Sequence, residues 1–333
     1  MTKIKPLLKW EAVLILFLFS ELLLFGQISP GFLDINNLLY SMNDFAYIAL
    51  AAIPMTFVII TGGIDVSVGA IMGLSSITIG VLWMDGMNIW MALFLTLLVA
   101  VAAGFINGFI VAHTTVQPLV VTLGGMFLFS GIALVISGGS SASGYEGISG
   151  FPDPFVEIAN GQWMGIPNSI WILLASICLF GGLLHLTRYG RNVFLVGINI
   201  KAARFSGVYT KWTVMSTYML SGLGGGISGI ILTSYFSSAR SDLGADAVLP
   251  VITAVVLGGT SIFGGRGSVL GTAVASIVIG IMQYGLQMAS MTSQQTSVVI
   301  GLMLIVSVLL RNANWRRFKK FAGTASEKST PEW

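Results

Sequence analysis

Charge is what this sequence has least of. Lys, Arg, Asp and Glu supply 9% of the 333 residues while apolar side chains supply 55%, a balance that cannot wrap a soluble core in a polar surface. The chain reads as an all-α, polytopic integral membrane protein. Cysteine is reduced to Cys178, inside an apolar run, and histidine to His113 and His185 at separate run ends. That excludes a disulfide framework, a CxxC motif and Cys/His metal spacing, and with them redox and structural-zinc chemistry. There is no G-x-x-x-x-G-K-S/T loop to cradle a nucleotide and no G-x-S-x-G elbow to carry a nucleophile. No series of acids and histidines runs through the apolar segments as a proton relay would require. Neither catalysis nor a bound cofactor or metal is expected. The net charge of +3 does not point to nucleic acid, because the basic residues are scattered between apolar runs without a basic face or an aromatic RNA-binding motif.

What the chain has in quantity is hydrophobic length. A helix needs roughly 17–25 apolar residues to cross about 30 Å of hydrocarbon. Ten runs qualify, near 10–27, 44–61, 66–84, 89–111, 117–137, 169–187, 213–235, 247–260, 268–288 and 296–311. The first follows Lys3, Lys5 and Lys9 as a signal peptide would, but FGQISPGF after it offers no small-residue cleavage site, so a retained helix is expected. The eighth is short and runs into LGGTSIFGGRGSVLG, which points to a broken or re-entrant helix.

Orientation follows from the basic residues, since cytoplasmic loops carry the excess of Lys and Arg. With the N-terminus inside, Lys3, Lys5, Lys9, Arg188, Arg191, Lys201, Arg204, Lys211, Arg266 and every basic residue from Arg311 onward fall in the cytoplasm. Only Arg240 falls outside, among the acids Asp34, Asp44, Asp85, Glu146, Asp153, Glu157, Asp242 and Asp246. Both termini are thus expected in the cytoplasm, in one transmembrane domain over 1–333 with a basic tail at 312–333.

An acid interrupts this apolar pattern in TGGIDVSVGAIMGLSS, residues 61–76, where Gly62, Gly63 and Asp65 separate two apolar runs. The spacing predicts a cytoplasmic turn. One reading makes Asp65 a helix N-cap, its carboxylate accepting from free amides while glycine permits the turn. The other puts its charge on a hydrated translocation path or a partner contact, the default meaning of an acid kept near hydrocarbon. LGGTSIFGGRG at 257–267 has a related pattern, as an internal repeat would, although glycine is common wherever membrane helices pack closely. SGLGGGISG, with Gly222, Gly224, Gly225, Gly226 and Gly229, has the spacing for backbone-to-backbone helix contact, within the chain in preference to a subunit interface. Polar groups inside spans are Glu21, Asn107, Gln283 and Gln287, the last two one helical turn apart on one face. Asn107, Gln283 and Gln287 suit either interhelical hydrogen bonds or contact with a solute.

The segment TRYGRNVFLVGINIKAARFSGVYTKW, 187–212, is too long for a simple turn and carries five basic residues. IKAARFSG within it predicts a short helix ended by Gly207. The basic residues serve to hold the loop in the cytoplasm against anionic lipid, or the segment docks a soluble partner.

GGIDVSVG, NGFIVAHTTVQPLVVTLGGMFLFSG, GRNVFLVGINIKAARFSGV and ITAVVLGGTSIFGGRGSVLGT together resemble the membrane permease subunits of bacterial sugar-type ATP-binding-cassette importers, the ribose permease family. The resemblance extends from about Trp10 to Arg311, and SGYEGISGFPDPF with SYFSSARSDLGADAVLPVITAVVLGG narrows it to permeases of autoinducer 2 import. It implies a permease in the inner membrane that moves a small polar, sugar-like solute. ATP would be hydrolysed by a separate cytoplasmic ATPase, the solute delivered by a periplasmic binding protein, and the path completed by a second, related permease. The missing nucleotide loop is then expected. Within the 188–212 loop, Ala202, Ala203, Arg204, Ser206 and Gly207 become the candidates for ATPase coupling, because small residues permit close approach and Arg204 offers charged hydrogen bonds. Asp65, Asn107, Gln283 and Gln287 are candidates for the path. Glu146, Asp153, Glu157, Arg240, Asp242 and Asp246 are candidates for docking the binding protein. The competing class is a self-sufficient secondary transporter or channel, which would need a coupling-ion site that the sparse intramembrane charge does not supply. A purely structural scaffold is disfavoured by the polar groups within spans.

Overall fold

The computed structural model describes residues 5–138 and 147–312. Glu146 and the basic tail from 313 lie outside them. The described residues form thirteen helices: α1 (Lys5–Ile28), α2 (Ile35–Ile60), α3 (Val68–Met84), α4 (Ile89–His113), α5 (Pro118–Ile136), α6 (Asp153–Asn160), α7 (Asn168–Leu186), α8 (Arg188–Ile198), α9 (Ile200–Phe205), α10 (Thr210–Phe236), α11 (Val248–Leu257), α12 (Val269–Met288) and α13 (Ser293–Asn312). A small antiparallel hairpin, β1 (Gln162–Trp163) and β2 (Ile166–Pro167), pairs Gln162 with Pro167 and Trp163 with Ile166. Seven helices are long and apolar enough to cross a membrane, and three shorter apolar ones accompany them. These ten answer to the ten apolar runs of the sequence. The largest boundary difference is at α2, which starts at Ile35, because Asp34 accepts from the amides of Asn36 and Asn37 and caps it there. Asp44 therefore lies inside α2 and not in the outer loop where its charge suggested.

The bundle is built around α2 and α10. In the membrane window of α2, 89% of residues are buried and in that of α10 67%, against 17% in α1 at the periphery. Helices can close on a centre only if small residues let the backbones approach, since apolar chains gain nothing from each other that lipid does not also offer. On α10, Gly222 lies against the Ala100 carbonyl of α4, and Gly229 lies against the Met72 carbonyl of α3. Gly224 meets Pro54 of α2. The SGLGGGISG segment thus packs three neighbouring helices of its own chain.

Two of the apolar helices are only partial spans. α11 has ten residues, about 15 Å, half the hydrocarbon thickness. It is preceded by non-helical chain at 238–247 that runs inward along α3: Ala239 lies at Gly80, Ser241 at Gly73 and Gly244 at Gly69. α3 itself starts deep in the bundle. The Val68 carbonyl faces Gly225, fifteen residues into α10, roughly 22 Å along that helix. Both partial helices thus begin beside the same crossing, where Gly69 and Gly244 meet backbone to backbone. The non-helical chain at 238–247 thus meets the start of α3 just beyond the 61–67 turn.

A Cβ placed on Gly229 would sit 2.4 Å from the Met72 carbonyl, whereas one on Gly124 of α5 would meet nothing within 4 Å. Gly229→Ala should destabilise the folded protein by about 1–3 kcal/mol through overpacking, and Gly124→Ala should leave it unchanged. Thermal unfolding in detergent of the two variants checks this.

Candidate functional site

Asp65 is fully buried. Its turn does not stay at the membrane surface but follows the chain inward to the start of α3. Oδ1 accepts from the Ser67 amide at 3.0 Å and from the Ser67 hydroxyl at 2.6 Å. Oδ2 accepts from the Ser221 hydroxyl of α10 at 2.7 Å. The helix N-cap is Ser67, which makes no side-chain capping bond because its hydroxyl donates to Asp65. The expectation that Asp65 caps α3 is thus corrected: its carboxylate binds the capping residue and ties the turn to α10. Asn107 of α4 joins the cluster, donating from Nδ2 to the Ser67 hydroxyl at 2.8 Å, and it is 1% exposed.

The turn's backbone groups also find partners. Thr122 of α5 donates its hydroxyl to the Ile64 carbonyl at 3.1 Å and accepts from the Val66 amide at 3.3 Å. In the other inward segment, the Arg240 amide donates to the Ser76 hydroxyl at 3.0 Å, and Ala239 exchanges both backbone bonds with Ile148. Non-helical backbone is tolerated at membrane depth only where neighbouring protein satisfies it, and here hydroxyls of the adjacent helices do so.

The two glycine-rich segments meet each other. The Gly265 amide donates to the Ile60 carbonyl at 2.8 Å, and Gly197 at the end of α8 packs on that same carbonyl so closely that a Cβ there would lie 1.8 Å from it. α8 is held by Tyr189, which stacks on Phe57 with centroids 6.3 Å apart and shares a 2.9 Å hydrogen bond with Ser216. Burial pushes the Tyr189 phenol up to about 12, so it keeps its proton at physiological pH. The segment after α8 therefore rests on α2, α10 and both glycine-rich turns.

That segment is α9, the short helix read from IKAARFSG. Asn199 caps it, accepting from the amides of Lys201 and Ala202 at 3.0 Å each. It ends as the sequence requires: Gly207 has φ +81 and donates to the Arg204 carbonyl at 3.1 Å. Ala203 faces inward, 2% exposed among Val196, Val214 and Tyr218. Ala202, Arg204, Ser206 and Gly207 are exposed, and Phe205 projects almost fully, at 93% exposure.

The remaining candidates are spread over the other end of the bundle and its flank. Asp153 and Glu157 are exposed one turn apart on α6, whose Phe155 and Ala159 are buried. Arg240 pairs with Asp242, Nε to Oδ1 at 2.9 Å. Gln283 is half-buried and Gln287 exposed on α12. Asp246 is not on the rim: it is exposed next to Ala247 at the inner end of the 238–247 segment, within electrostatic reach of Tyr47 in the middle of α2. Asp44, which accepts from the Tyr235 hydroxyl, acts on the same phenol. Sequence reading missed this grouping, although Asp44 and Tyr47 at i and i+3 in one helix were a readable signal. Glu21 is 4% exposed on α1, and neither of its oxygens has a hydrogen-bond partner among the described residues.

This architecture of ten apolar helices, two of them entered by non-helical chain stitched with hydroxyls, has a family. The family described as the branched-chain amino acid transport system / permease component matches residues 37–308. The chain belongs to it. The match takes in both inward segments and the whole α8–α9 region. The autoinducer 2 import system permease protein LsrD of Salmonella paratyphi B is 46% identical over 308 residues, 92% of this chain and 93% of the relative. LsrD of Salmonella typhimurium shows the same figures, and that of Escherichia coli O9:H4 is 45% identical over the same shares. No solved structure matches the chain significantly. The protein is a permease subunit of a sugar-type ABC importer, integral to the inner membrane.

The Asp65 cluster yields a test in this permease. Asparagine retains one acceptor for Ser67 and can donate its amide to the Ser221 oxygen, so Asp65→Asn should retain most stability. Asp65→Ala leaves two serine hydroxyls and an amide buried without their acceptor, at about 1–3 kcal/mol for each group. Thermal unfolding of membrane-extracted protein should separate the two variants clearly. Equal losses would remove the hydrogen-bond account.

Proposed function

We propose that this permease forms part of the path by which autoinducer 2, a small polar and sugar-like solute, is imported. A separate cytoplasmic ATPase energises transport, a periplasmic binding protein delivers the solute, and a second, related permease completes the membrane unit. The observation that carries the solute assignment is the 46% identity to LsrD over 92% of the chain. The end of the bundle bearing α8, α9 and Arg266 faces the cytoplasm in this reading, with both termini on that side, as the Lys and Arg distribution favours.

The outward face of α9 is the proposed ATPase contact. Ala202 and Ser206 allow close approach around Phe205, a large apolar side chain with nothing of its own chain to cover it, and Gly207 ends the helix where this face meets the neighbouring surface. Ala203 seats the helix from below. Motion of α9 would reach the membrane helices through the Gly197–Ile60–Gly265 junction. Phe205→Asp should insert normally, lose most ATPase association and lower uptake into vesicles at least about tenfold, the effect of a hot-spot loss near 1.4 kcal/mol or more. Vesicles holding the permeases without the ATPase should show no ATP-dependent uptake. Accumulation in their absence would instead favour a self-sufficient transporter.

For the path, the exposed Asp246, Asp44 and Gln287 are better placed than the buried Asp65 and Asn107. An exposed carboxylate at mid-span has no reason to stand in lipid and suits a hydrated surface shared with the second permease. For the binding protein, the exposed acids Asp153 and Glu157 suit electrostatic docking at the rim. The two assignments differ in salt dependence. Asp246→Asn should reduce uptake at every ionic strength, while Asp153→Lys with Glu157→Lys should slow it chiefly at low salt, where rim charges steer encounter. Uptake measured across a salt series, normalised to inserted permease, would reject either assignment if its pattern were missing.

A further inference from the structure

A cleft of about 1090 Å³ opens at the basic end of the bundle, between the end of α4, the start of α10 and α9. Its floor is Gly62, Gly63 and Tyr218. Lys201, Arg204 and Lys211 stand around it, and no Asp or Glu among the described residues lines it. Among the described residues the single ion pair is Arg240 with Asp242, at the other end of the molecule. Three cations therefore share one concavity with no carboxylate among its described lining residues, and like charges gathered over a low-dielectric wall call for an anion.

The surroundings decide which anion. The cleft lies where spanning helices α4 and α10 reach their ends and where α5 begins, at the level of a bilayer surface. Its apolar wall includes Phe109, Tyr209 and Trp212, at 47%, 83% and 57% exposure. Aromatic rings beside basic residues at span ends are the signature of the headgroup layer, and basic pockets between helices on the cytoplasmic side suit anionic headgroups. α9 also has two separate faces. Lys201 and Arg204, three residues apart, line the cleft, with Gly207 just after the helix at its edge, while Ala202, Phe205 and Ser206 do not. The cleft and the outward face can be occupied at the same time by different partners.

We propose that this cleft is a headgroup site for an anionic phospholipid. The phosphate sits among Lys201, Arg204 and Lys211, and the glycerol and upper acyl chains lie along Phe109 and Trp212. The site requires only that this end of the bundle lie at a bilayer surface, so it does not depend on the ATPase contact assigned to α9.

The test uses the full-length permease, purified in detergent with an equal mixture of phosphatidylglycerol and phosphatidylcholine of matched chains, with retained lipid read by native mass spectrometry. Phosphatidylglycerol should be retained at least about fivefold over phosphatidylcholine, given roughly 1 kcal/mol for each basic residue near such a headgroup. Lys201→Ala with Lys211→Ala should abolish the preference without moving the thermal midpoint, and Arg188→Ala, outside the cleft, should retain it. Equal retention of both lipids, or an unchanged preference in the double variant, would overturn the proposal. So would displacement of the lipid by inorganic phosphate, which would mark a simple ion site, or by the ATPase subunit, which would make a protein the occupant.

Discussion

A peptide group inside a bilayer has no water to turn to, and this molecule takes two stretches of non-helical chain to the middle of its bundle. Each amide and carbonyl there must be met by a neighbour, or the fold loses several kcal/mol for each one left bare. The neighbours are hydroxyls and carboxylates placed for it. Thr122 serves the turn at 61–67 from α5, Ser76 serves the segment at 238–247 from α3, and Asp65 draws Ser67 and Ser221 together. These groups belong to different helices, so satisfying the irregular backbone also fixes how α3, α4, α5 and α10 sit against one another. Asp65 is buried because it is an organiser of hydrogen bonds between elements.

Such bonding needs short distances, and the glycines supply them. Where Gly69 meets Gly244, and where α10 lies on α3 and α4, any side chain would push apart groups that must come within hydrogen-bonding range. Chemistry and packing are therefore one requirement in this interior. At the basic end the same economy lets Gly197 touch the Ile60 carbonyl, bringing α8 and both glycine-rich turns to a single atom.

Ten helices were legible because apolar length alone is decisive in a membrane, and α9 was legible because Asn199, the IKAARF run and Gly207 spell a start, a body and a stop. The start of α2 was misplaced because its first nine residues, INNLLYSMN, precede the apolar run, and only the capping bonds of Asp34 show that they are helical. Depth was not legible at all. Nothing local in GGID distinguishes a turn at the surface from one that plunges, since the difference lies in partners 58 and 156 residues away, Thr122 from Ile64 and Ser221 from Asp65. The same holds for Asp246, which lies within electrostatic reach of Tyr47, far off in sequence. The exposed acids of α6 and the pairing of Arg240 with Asp242 lie where charge alone would put them, at the polar end opposite the basic loops.

The brevity of α11 bears on how the protein is made. A helix of ten residues is too short to be held in the bilayer by its own hydrophobicity as it leaves the ribosome. Its far end is secured by the Trp10 indole, which donates to the Leu257 carbonyl at 2.8 Å across 247 residues of chain, and by α12, which follows it in sequence. The place of α11 therefore depends on partners at both ends of the sequence, the first helix and the helices that follow it, and not on its own length.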